Sequence, residues 1–146
     1  MHLKKWGPVL CNLVILLQPI YWLGLRIFMA SIFWSSGLAK LKNMEVAKMV
    51  YESEFNLPEF LPLTFSVYSS TYLELIGAVL ITLGLFTRLI SVPLLVVAII
   101  AQFYGFYANE HYFWMFVFSG LIIHGPGKIS MDHFLWKKYE CARNLK

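Results

Sequence analysis

Glu74 is a carboxylate within Tyr72-Leu-Glu-Leu-Ile-Gly-Ala-Val-Leu-Ile-Thr-Leu-Gly-Leu-Phe-Thr-Arg88, a run otherwise apolar enough for a lipid bilayer. An ionisable side chain at the centre of a membrane helix costs about 2.5 to 3.5 kcal/mol on insertion scales, so such groups are turned inward, paired and tied to function. Here the chemistry on offer is proton handling by Glu74, with Lys40 as the cation and Gln102 and His111 as polar neighbours. A second set, Arg26, Arg88, His124 and Lys128, is cationic and suits an anion or a quinone headgroup. Its structural alternative is snorkelling to lipid phosphates and capping of helix ends.

Other chemistries find no template. His111 and His124 lie at opposite ends of one helix, about 20 Å apart by rise per residue, so they cannot share an iron, and no haem is expected from this chain alone. Asp132 and His133 are neighbours on a predicted surface helix and diverge. With no His-x-x-x-His and no cysteine pair, no metal site is expected. Cys11 and Cys141 are far apart and form no Cys-x-x-Cys, so they read as two unpaired thiols. There is neither a dinucleotide-binding glycine motif nor a nucleophile elbow. The aromatics Trp22, Trp34, Tyr104, Tyr107, Tyr112 and Trp114 read as interfacial belts and packing, although a flat ring such as a quinone can also use them.

The elements that must position these groups are membrane helices. The chain has 146 residues, 59% hydrophobic and only 14% charged, against about 45 to 50% apolar for a soluble domain. The formal charge of +4 raises nucleic acid as a partner, but the basic residues crowd at the tails and segment ends rather than in one stripe. The expected partners are the bilayer and either another protein or a second copy of this chain. Spans are predicted over 20–39, 68–85, 90–107 and 110–124, the last one short for the roughly 20 residues that a 30 Å core needs. Together they form one membrane domain, an all-α four-helix bundle. The amino tail, Arg88 and the carboxyl tail hold eight Lys and Arg, against Lys40, Lys42 and Lys48 on the other side. The positive-inside rule therefore puts both termini in the cytoplasm. Amphipathic helices are predicted over 43–55, in the outer loop, and 130–142, where Ser130 can act as the cap. Residues 1–17 imitate a secretory signal without a small-x-small cleavage site and read as an interfacial lead-in, with Gln18-Pro19 starting the first span.

Depth sorts the charges. Arg26 is about 9 Å inside the cytoplasmic start of its span and Glu74 six residues from the outer start of its own, which leaves roughly 12 Å between them along the membrane normal. Lys40, at the outer end of the first span, is the better-placed partner for Glu74, and Gln102 comes to a similar depth. Small residues mark the faces expected inside the bundle: Gly24, Ala30 and Gly37 on the first span, Ser70, Gly77, Ala78 and Gly84 on the second.

Phe33-Trp-Ser-Ser-Gly-Leu-Ala-Lys40, the Glu74 to Arg88 run and Gly125-Pro-Gly-Lys-Ile-Ser-Met-Asp132 together resemble the DoxX family of small bacterial four-helix membrane proteins, over roughly residues 20 to 136. The resemblance places Arg26, Gly37, Lys40, Glu74, Gly84, Arg88 and Gly125 to Lys128 on family-pattern positions. It implies a multi-pass protein of the bacterial inner membrane and a site near Glu74. It also implies assistance to quinone-linked redox chemistry of sulfur or oxidative stress, carried mostly by partners. Two other classes stay open. One is a non-enzymatic scaffold or assembly factor in which Lys40 and Glu74 fix helix register. The other is a small transporter acting as an oligomer, for which the chain shows no inverted repeat.

Overall fold

In a computed structural model the described residues, 3–55, 61–105 and 108–143, are helical apart from short connections; side chains are described from residue 12 to residue 137. The helices are α1 (Leu3–Lys42), α2 (Met44–Glu54), α3 (Leu63–Leu83), α4 (Thr87–Tyr104), α5 (Asn109–His124) and α6 (Met131–Arg143). Cys11, Tyr107, Cys141 and the basic residues Lys4, Lys5, Lys138, Arg143 and Lys146, like the prolyl segment 56–60, fall outside the described side chains.

Three helices are long and apolar enough to cross a membrane: α1 from Asn12, α3 and α4. The fourth expected span, α5, has 16 residues, about 24 Å at the α-helical rise, and falls short of that criterion. Among the described residues the structure is all-helical, as suits a membrane protein, with three helices of spanning length.

Pro19 does not start a helix, contrary to the expected start of the first span near Ile20, because α1 runs through it unbroken from Leu3. Proline removes one helical hydrogen bond, and a helix that continues on both sides can absorb that loss. Leu13 to Leu17 are left exposed on α1, a surface that needs lipid or protein to cover it. On α3, Pro62 occupies the N-cap, so the helix begins at Leu63 rather than Tyr68, and Glu74 lies close to its midpoint.

α1 packs along α3 and α4 along α5; the tight turn between α3 and α4 joins the two pairs. The approach is closest where glycine permits it. A Cβ on Gly37 would stand 2.9 Å from Leu75 Cγ, and one on Gly77 2.8 Å from Leu94 Cδ1. Ala30, Ser70, Ala78 and Gly84 are buried as the small-residue pattern expects. Gly24 is the exception, with nothing near its absent side chain. The core is Met29, Phe33, Ile81, Leu94, Phe118 and Leu121 among others, with the Phe33 ring edge-on to Trp114 and Phe118. A second cluster, Ala47, Tyr51 and Val67, seats α2 on the amino-terminal part of α3; that end of the bundle is called outer, and the end at the turn between α3 and α4 inner.

Candidate functional site

At the outer end, Lys40 Nζ donates to Glu74 Oε1 at 2.5 Å. The pair exists because Gly37 lets α1 come against α3 one helical turn away: a Cβ there would stand 3.3 Å from Glu74 Cβ. Lys40 is held from its other side by the Tyr51 ring, 5.7 Å from the ammonium, and Tyr51 in turn hydrogen-bonds Ser70 at 2.9 Å. α2 thus closes over the pair as a cover, its Phe55 ring stacked on Tyr51 and lying against Gly105 at the end of α4.

Glu74 is 3% exposed, and its Oε2 has no hydrogen-bond partner among the described residues. It stands in the wall of a partly open cavity of about 780 Å³ lined by residues of α1 to α5, with Lys40, Tyr51, Ser70, His111 and Trp114 also on the wall. The rest of the lining is mainly apolar, from Ile32 and Phe33 through Leu73 to Val96 and Ile100. A desolvated carboxylate with one oxygen paired and one free can take or give a proton, or accept a hydrogen bond from a guest.

The expected cluster of Lys40, Glu74, Gln102 and His111 divides into two pairs. Gln102 Oε1 meets His111 Nδ1 at 3.1 Å, both buried, and this bond ties α4 to α5. His111, not Gln102, is the member of that pair on the cavity wall. The side chain of Gln102 is used up locally because α5 starts beside the end of α4, a proximity that depth alone cannot reveal.

At the inner end the expected grouping of Arg26 with Arg88, His124 and Lys128 is corrected. Arg26 is 1% exposed and donates through Nη2 to the Ile129 carbonyl. Its guanidinium fills the space beside Gly84, where any Cβ would collide with it and with Ser130. Gly84 is therefore required twice over, for that contact and for its φ of +68° as the left-handed cap of α3. Arg26 Nε and Nη1, Thr87 Oγ1 and Ser91 Oγ are buried without partners among the described residues.

Arg88, His124 and Lys128 are instead exposed and line a separate cleft of about 1080 Å³ at the inner surface. His124 stacks on Trp22 at 4.5 Å and lies 3.2 Å from the Gln18 amide. Arg88 Nη2 donates to the His124 carbonyl at 3.4 Å.

Asp132, set aside as a surface residue when metals were considered, is the connector of the inner end. Its Oδ1 accepts from Phe86 N at 2.8 Å and its Oδ2 from Thr87 N at 3.0 Å, while its own N–H donates to the Gly84 carbonyl at 3.0 Å. It caps α4 from a distant helix, and holds Phe86 at φ +49°, a conformation uncommon for a bulky residue. Ser130 Oγ accepts from His133 N at 3.2 Å, the cap expected for the last helix. The only signal for Asp132 in the sequence is its place in the Gly125 to Asp132 segment.

The fold and site define a helical membrane protein with a charged pair on the wall of a cavity. The DoxX family model matches residues 21–106, and the chain belongs to the DoxX family. That match contains Arg26, Lys40, Glu74, Arg88 and Gln102; α5 and the Gly125 to Asp132 segment follow it. Comparison with curated proteins and with solved structures returned no match.

Proposed function

We propose that the protein is a DoxX-type subunit of the bacterial inner membrane that assists quinone-linked redox chemistry, with the electron-transferring groups on partner proteins. The observation that carries this reading is Glu74: buried, one oxygen on Lys40, the other unpartnered, in the wall of a largely apolar cavity. Pockets of roughly 300 to 1,000 Å³ with apolar walls and a few convergent polar groups take drug-sized organic molecules. A quinone headgroup fits that description, with Trp114 and Tyr51 on the wall as flat neighbours. Lys40 would donate to a ring oxygen and Glu74 would hold a proton. We read the bundle as four spans with both termini in the cytoplasm, α5 completing it alongside α4.

Organic extraction of the purified protein tests the reading. Quinone in stoichiometric amount, lost in Glu74→Gln, supports it; the absence of any quinone or redox partner from the wild-type preparation refutes it. A scaffold role is the second reading, favoured by Gly37, whose close contact with Leu75 makes the Lys40–Glu74 pair a register device for α1 on α3. In that case Glu74→Gln lowers the melting temperature and leaves bound quinone unchanged.

A further inference from the structure

The inner cleft has chemistry of its own. Arg88 reaches a backbone carbonyl with one guanidinium nitrogen only, and Lys128 has no hydrogen-bond or ion-pair partner among the described residues. Both stand on the cleft wall with His124, whose ring is fixed by the stack on Trp22. One acid, Asp132, also lines the cleft, and both of its oxygens are already occupied by the backbone N–H groups of Phe86 and Thr87. It is therefore poorly placed to satisfy either cation as well. The aminoterminal ends of α4 and α6 meet here and add positive potential. On the same wall Leu89, Phe86 and Leu135 are exposed by 72%, 60% and 53%, an apolar lip beside the charges.

We infer that this cleft binds the phosphate of an anionic phospholipid, with Arg88 and Lys128 on the phosphate oxygens and the acyl chains along the apolar lip. A free phosphate would use the cations and leave the lip uncovered. The lip next to cations without ion-pair partners among the described residues, at the end of apolar helices, is what selects a lipid. The site is independent of the outer cavity and of whatever binds there.

The test uses the full chain in nanodiscs of zwitterionic phosphatidylcholine, with and without one-fifth phosphatidylglycerol, read by native mass spectrometry and by thermal melting. The expected result is one retained phosphatidylglycerol and a raised melting temperature. Removal of cationic charge should weaken retention roughly fivefold per charge, in Lys128→Gln and further in Arg88→Gln/Lys128→Gln. Lys137→Gln, on α6 but not on the cleft wall, should change nothing. Lys128→Gln leaves every described hydrogen bond intact, so it remains informative if the double variant fails to fold. Equal lipid retention in wild type and Lys128→Gln overturns the proposal. So does stabilisation by inorganic phosphate in phosphatidylcholine discs that equals the lipid effect, because the occupant is then a free anion.

Discussion

The two ends of the bundle handle a buried charge in opposite ways. At the inner end Arg26 is walled in by Gly84, Ile129 and Ser130, and Asp132 ties the same region together through three backbone hydrogen bonds. Arg26 lines neither the cavity nor the cleft, whose wall carries Arg88 and Lys128 instead. At the outer end Glu74 spends one oxygen on Lys40 and leaves the other at a cavity. Both side chains keep polar atoms without a partner among the described residues, Nε and Nη1 of Arg26 as well as Oε2 of Glu74; what separates them is that Glu74 stands on a cavity wall, where a ligand can reach it. Burial alone does not separate them, since Arg26 is as deeply buried as Glu74.

That contrast is broken most forcefully at Gly84. Gly84→Val should destabilise by at least about 3 kcal/mol, through the left-handed backbone and the collision with Arg26 and Ser130, and thermal melting in detergent will show it. If the variant melts like wild type, the inner end is not the rigid half. Asp132→Ala comes next: it removes two hydrogen bonds to a carboxylate and should cost about 2 to 3 kcal/mol, with Asp132→Asn recovering part of the loss. Ligand extracted from the outer cavity should stay unchanged per folded protein.

Glu74→Gln is the converse. The amide can still accept from Lys40, so stability should fall by only about 1 kcal/mol while bound quinone is lost. A large stability loss with quinone retained would place both ends in the same structural class. The smallest effect belongs to the exposed Lys48–Glu45 pair on α2, 2.8 Å apart. Its hydrogen bond to Glu45 raises the Lys48 pKa above the ordinary 10.5. The pair's contribution is thus fully present below pH 10.5 and is lost as pH rises through the raised value. A titration of α2 unfolding should show no Lys48-dependent change between pH 6 and 9, with Lys48→Met as the control.

Much of this was legible in the residues. Lys40 as the partner of Glu74 follows from the antiparallel order of the first two spans, and it holds even though Glu74 is nearer the middle of α3 than the expected start at Tyr68 implied. The long lysine side chain absorbs that error. Arg26 was misgrouped because depth fixes height along a helix but not the direction a side chain faces: Arg26 turns to Gly84 and the Ile129 carbonyl, Arg88 to the surface. Gln102 reached the expected depth and bonds His111, the cluster member on the next helix, rather than Glu74, for the same reason. Gly24 fits the small-residue rhythm yet meets nothing, since no helix passes that face of α1.

By itself the sequence determined the membrane class, the helical segments, the family pattern and the pairing of one buried acid with one lysine. These depend on hydropathy, on spacing along each helix and on the antiparallel order of neighbouring spans, all of which can be counted along the chain. Tertiary structure decided that Glu74 keeps an oxygen free at a cavity, that Arg26 is sealed away from the surface cations, and that Asp132 caps a helix begun 45 residues earlier. Each of those depends on how helices rotate and approach one another. That is fixed by side-chain packing across the bundle, at contacts such as Gly37 with Leu75 and Gly84 with Arg26.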